Sequence, residues 1–162
     1  MIVSFQPLQL DAIALLSAAT GVDFSGTEFS NENEWLCCTV RNPGGGIALI
    51  VVFEFKTWFD AHVSTVMVDK RSLSRQLLTV LVRMVFARAD RITALIDPNN
   101  KVALAQVWRM GFRYEGYIRR GIEGQRDAVL FGLLPEDCPY LGGKPFRYRV
   151  SAVTHPPQPG VH

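Results

Sequence analysis

Apolar and polar positions alternate along this chain in two periods, and each change of period marks an element. From Gln6 to Thr20 the apolar residues Leu8, Ile13, Leu16 and Ala19 recur at helical spacing, and Gly21 follows as a helix stop. Val22 to Glu34 is polar, with Gly26, Asn31 and Asn33, and reads as a loop. Trp35 to Val40 and Ile47 to Phe55 read as strands. Asn42-Pro43-Gly44-Gly45-Gly46 between them has turn chemistry, so the two form an antiparallel hairpin. Ile47 to Phe53 is apolar throughout, the pattern of a strand covered on both faces.

Ala61 to Asp69 predicts a third strand, rich in Val and Thr. Ser72 to Ala89 predicts a helix with Leu73, Leu77, Val80, Leu81, Met84 and Val85 on one stripe. Arg91 to Asp97 predicts a fourth strand, ended by Pro98. Asn99 or Asn100 caps a helix that runs to Met110. Phe112 to Ile122 and Ala128 to Leu134 close the pattern as two more strands, joined through Gly121 to Gln125. The strand–helix–strand unit 61–97 belongs to a parallel pair in an otherwise antiparallel sheet. The predicted fold is therefore α/β, a mixed, mostly antiparallel central sheet with helices on both faces.

A length of 162 residues suits one domain, placed at 1–150 with a frayed tail at 151–162. The apolar share, 48%, argues against disorder over most of the chain. A net charge of +2 is too small to indicate nucleic acid. Arg109, Arg113, Arg119 and Arg120 alternate with core residues, as on an ordinary solvated face. No apolar run is long enough to span a bilayer. The N-terminus lacks the basic, apolar and small-residue order of a leader. Neighbours Cys37 and Cys38 point to opposite faces of a strand, and Cys138 stands apart, so all three read as reduced thiols of a cytoplasmic protein. Their spacing is not that of a metal site, and no metal is expected.

Asn100, Ala103, Gly111-Phe112, Glu115-Gly116 and Arg119, followed by Asp127 before a strand, resemble the C-terminal half of the GNAT acyltransferases. The likeness is greatest to the branch that acetylates ribosomal-protein N-termini. Pro135-Glu136-Asp137-Cys138-Pro139-Tyr140-Leu141 resembles the ending of GNAT-like proteins encoded by bacteriophages. The similarity covers about residues 47 to 141. It implies a splayed parallel strand pair, acetyl-CoA as co-substrate, and an amine acceptor: a protein N-terminus, a lysine or a small amine. It also implies that Gly111 lets the helix stop, that Phe112 plugs the core, and that Asn100 offers its amide to the pantetheine arm as well as capping its helix.

The chain departs from the family in two places. The glycines of the Gln/Arg-x-x-Gly-x-Gly/Ala pyrophosphate loop fall on Ser72 and Ser74, and its first position falls on Asp69. Lys70, Arg71 and Arg75 supply positive charge at that helix start, and the serine hydroxyls can donate to phosphate. A Cβ nevertheless crowds the place where backbone meets phosphate, and Asp69 repels it. The Tyr and Ser that relatives use to protonate the leaving thiolate fall on Val107 and Ala103. Tyr114 and Tyr117 are nearby phenols that no motif assigns. For the base, His62, at the start of the strand that would run beside the thioester, is the first candidate, and Glu54 on the neighbouring strand is a second. Backbone N–H groups at a bulge near Met67 or Val68 would hold the oxyanion. Two readings stay open. One is an acetyl-CoA-dependent N-acetyltransferase. The other is a GNAT-fold protein without chemistry, serving as a structural or binding component, for instance in a phage particle, assembled with virion proteins or with copies of itself.

Overall fold

The computed structural model describes residues 1–141, so the whole of the expected tail and the end of the expected domain lie outside the described residues. In chain order the elements are β1 (Ile2–Ser4), α1 (Leu10–Thr20), β2 (Trp35–Arg41), β3 (Ile47–Phe55), β4 (Asp60–Met67), α2 (Arg75–Phe86), β5 (Arg91–Ile96), α3 (Lys101–Arg109), β6 (Arg113–Ile122) and β7 (Arg126–Leu133). Short 3-10 turns occupy Lys70–Ser72 and Pro135–Asp137. The described strands form one sheet in the order β1-β2-β3-β4-β5-β7-β6. Only the β4–β5 pair is parallel; every other neighbour is antiparallel. The mixed, mostly antiparallel sheet expected from the pattern is what forms.

Alternation along the strands divides the core in two. Cys37, Ile50, Val52 and Val66 pack with Ala12 and Leu16 of α1 on one face. Cys38, Leu49, Val51, Ala61, Ile92 and Phe131 pack against α2 and α3 on the other. Cys37 and Cys38 thus enter opposite cores, and burial pushes each thiol up to about 11. The segment before β2 is less polar in effect than it reads. Phe24 and Phe29 turn inward over α1's core, with the Phe29 and Trp35 rings edge to face at 4.7 Å.

Several boundaries move for local reasons. β1 escapes the pattern because three residues are too short to show a period; it pairs with β2 through Val3↔Val40. α2 starts at Arg75, not Ser72. Leu73 is non-helical, and Ser74 is an extended N-cap whose Oγ accepts from the Leu77 N–H at 3.1 Å. α2's buried stripe is Leu77, Leu78, Leu81, Val82 and Val85, so the expected Val80 and Met84 face outward. Each fully buried aliphatic of that stripe contributes about 1.5–3 kcal/mol through removal from water. Gly111 ends α3 at φ 91, where a Cβ would strike the Asp137 carbonyl, and Phe112 is buried beneath it. Among the described residues no helix is long and apolar enough to cross a membrane.

Candidate active site

β4 and β5 are in register only at Asp60↔Arg91, Ala61↔Ile92 and His62↔Thr93. Beyond that point the two strands continue to Met67 and Ile96 without pairing. β4 remains bonded to β3 along its length, as far as Leu49↔Met67. At its end the N–H groups of Val68 and Asp69 both donate to the Ala48 carbonyl, at 2.9 and 3.0 Å, the two-against-one arrangement of a bulge. Alternation counted back from Val68 turns the backbone N–H and C=O of Thr65 and Met67 away from β3 and into the gap. Val68 therefore cannot serve as the oxyanion donor considered for it, because its N–H is taken by Ala48; Met67 keeps that possibility. A cleft of about 680 Å3 fills the splay. Its walls include Thr20 and Phe24 on the α1 side and Leu78 and Val107 on the α2–α3 side, so the gap passes through the sheet.

His62 lines this cleft from the α1 face, with its side chain 30% exposed. Its Nε2 lies 3.1 Å from Asp60 Oδ2, two residues back on the same face. The other oxygen, Asp60 Oδ1, accepts from Thr93 Oγ1 at 2.6 Å, across the last paired rung of β4 and β5. Thr93 Oγ1 in turn accepts from Arg91 Nε at 3.1 Å, and Arg91 Nη2 donates to both oxygens of Glu115 at 2.7 and 2.8 Å. Glu115 sits at a register shift of β6 and lies over Gly132, where a Cβ would collide with its carboxylate. Glu54 stands opposite His62 on β3, and its Oε1 pairs with Lys56 Nζ at 2.7 Å. At the open end Arg126 reaches from β7 to Asp97 Oδ2 and to the Thr20 carbonyl, both at 2.8 Å. The Asn99 backbone N–H and then Arg126 hold the Asp97 carboxyl below the usual carboxylate range, against the effect of burial.

The loop after β4 is arranged differently. Asp69 accepts from the Arg71 backbone N–H at 2.9 Å and grips its guanidinium through both oxygens, at 3.1 and 2.8 Å. That pairing holds the Asp69 carboxyl below its ordinary value. Ser72 is buried, and its hydroxyl donates inward to the carbonyls of Asp69 and Ala48, not outward toward a ligand. The hydroxyl expected to donate to phosphate therefore points the wrong way. Ser74 is the helix cap. Lys70 and Arg75 stay exposed at the start of α2, Arg75 lying 5.5 Å above the Tyr140 ring.

The remaining candidates are spread out. Asn100 caps α3, its Oδ1 accepting from the Ala103 N–H at 3.1 Å, and it lines the cleft beside Asn99. The cap occupies the amide oxygen and leaves the amide NH2 for a ligand. Tyr114 packs edge to face on Phe131, and Tyr117 donates to Asp127, which pushes its phenol up. Neither lines the cleft. Arg113 pairs with Asp137. Asp60, Arg91, Thr93 and Glu115 were not singled out in the sequence as site residues. Among the described residues no three His, Cys, Asp or Glu side chains cluster as metal ligands.

The cleft suits an extended arm that carries amides, because Thr65 of β4, with its free backbone rung, and Asn100, with its free amide NH2, line it. The loop suits a diphosphate less well, because the groups that would meet it already bind one another. No protein-family model matches the sequence, and no curated protein matches it. Solved structures do match in fold. The spermidine/spermine N-acetyltransferase SpeG from Vibrio cholerae aligns at TM-score 0.58 and 13% identity, over 86% of this chain and 97% of that one. The ribosomal-protein-S5-alanine acetyltransferase from Vibrio fischeri aligns at 0.55 and 19%, over 83% and 80%. An acetyltransferase of the GNAT family from Streptococcus pneumoniae aligns at 0.54 and 17%, over 82% and 99%. The chain has the fold of the GNAT acetyltransferases, including the single parallel pair.

Proposed function

We propose that the protein is an acetyl-CoA-dependent N-acetyltransferase acting on a primary amine. The observation that carries this reading is the splay of β4 from β5 after His62↔Thr93, with unpaired backbone on the cleft wall. In such a reaction the amine nitrogen attacks the carbonyl carbon of a thioester, the C–S bond breaks, and the thiolate leaves and takes up a proton. Thr65 offers backbone hydrogen bonds along the cleft, and the Met67 N–H, next on the same edge of β4, is the candidate for holding developing oxyanion charge. Asn100 offers its amide NH2 from the start of α3. His62 is the group placed to take the ammonium proton. Glu54, already paired with Lys56, is the second candidate.

The acceptor enters from the α1 face, where Thr20, Phe24, His62 and Glu123 line the opening. A protein N-terminus, a lysine or a small amine each meets that requirement. A second reading, a binding module that keeps the fold without the chemistry, is favoured by the self-occupied loop at Asp69–Ser72 and by the absence, among the described residues, of a tyrosine lining the cleft. The test is incubation with acetyl-CoA and a panel of these three amine classes, followed by mass spectrometry. Gain of one acetyl group on at least one acceptor is expected. No gain on any, with the protein folded, leaves the binding module.

A further inference from the structure

We infer that Asp60 is the positioning residue for His62, and that a five-residue chain fixes which imidazole nitrogen is the base. The inference rests on the acetyltransferase reading and names how its proton is handled. The direction of each hydrogen bond is set by chemistry. Arg91 can only donate, so Thr93 Oγ1 accepts from Arg91 Nε and gives its own proton to Asp60 Oδ1. Asp60, as a carboxylate, can only accept, so the contact at Oδ2 requires a proton on His62 Nε2. Nδ1 is then the nitrogen with a free lone pair. The ammonium proton passes to Nδ1, the amine nitrogen keeps the electron pair of the broken N–H bond, and the imidazolium so formed lies against the Asp60 charge until water takes the proton.

The far end of the chain explains an otherwise odd pair of residues. Arg91 would compete for Asp60 directly, since its Nε lies 3.5 Å from Oδ1. Glu115 draws the guanidinium away through two hydrogen bonds, and it can do so only because Gly132 leaves room for its carboxylate. The groups around His62 are therefore Glu54 on β3 with Lys56 just after it, Asp60 on β4, Thr93 and Arg91 on β5, and Glu115 on β6.

The experiment uses the whole chain, labelled with 15N-histidine, and His62→Ala to assign the ring signals. A slowly exchanging Nε2–H resonance is expected for His62 and should vanish in Asp60→Asn and Asp60→Ala. In acetyl transfer, Asp60→Asn should lower kcat about tenfold or more, with acceptor KM within about twofold. Thr93→Val should lose part of kcat, and Thr93→Ser should recover it. Gly132→Ala, remote from His62, should weaken the same resonance. A missing Nε2–H signal in the wild type, or a signal and kcat unchanged by both Asp60→Asn and Thr93→Val, overturns the positioning role while leaving an active acetyltransferase. Absence of transfer by the wild type, with the resonance intact, overturns instead the acetyltransferase reading and His62's part as base.

Discussion

The two ends of β4 are built on opposite plans. At the start, Asp60 and His62 stand where β4 is bonded on both sides, and their side chains join a chain of contacts through Thr93 and Arg91 to Glu115. At the end, Asp69, Arg71 and Ser72 satisfy one another, and the groups that would meet a phosphate are turned inward or paired. The fold supplies the gap in both cases. The side chains differ: at the start they meet in a chain that ends on an imidazole beside the cleft, and at the end they close on one another.

Four substitutions and one titration test that contrast. His62→Ala should lower turnover by roughly 10²-fold or more while leaving donor binding unchanged, as read by steady-state kinetics beside calorimetry. Equal loss of binding would place His62 in the donor site. Asp69→Ala should free the Arg71 guanidinium and backbone N–H, tightening acetyl-CoA binding by about tenfold without changing the affinity for an acetylated pantetheine that lacks the diphosphate. Asn100→Ala should lose about 1 kcal/mol of stability as a cap and also weaken the donor; an effect on melting temperature alone reduces it to a cap. Ser74→Gly should cost only a few tenths of a kcal/mol, since glycine is itself tolerated as a cap. Burial raises the Cys37 and Cys38 thiols to about 11 from an ordinary value near 9.0, so the unfolded chain loses those protons first. Their contribution should be present below pH 9 and should fade as pH rises toward about 11, measured by denaturation in reductant against Cys37→Ala.

The parts that were legible from sequence are those written in a period. β3's unbroken apolar run, α2's helical spacing and the strand–helix–strand order gave the mixed sheet and its parallel pair. Gly111-Phe112 was readable through the family resemblance, and the structure gives Gly111 the left-handed backbone of a helix stop and buries Phe112 beneath it. The site was legible only as far as single residues go. Asp60 fell just outside the expected strand, which was drawn from Ala61. Thr93 meets Asp60 only through the register of β4 with β5. Glu115 meets Arg91 only because β6 shifts register there and β7 places Gly132 beneath it. Ser72 matched a family glycine by position, but whether its hydroxyl faces a ligand or the Ala48 carbonyl depends on the bulge that ends β4.

The central claim is that the cleft between β4 and β5 takes a thioester donor, and calorimetric titration of the folded chain with acetyl-CoA tests it most directly. Saturable binding is expected with a dissociation constant from about 1 μM to 1 mM, roughly −8 to −4 kcal/mol, weak because of the closed loop. Thr65→Trp, which fills the gap, should abolish it. No saturable heat from the folded wild type, or the same binding by Thr65→Trp, contradicts the claim.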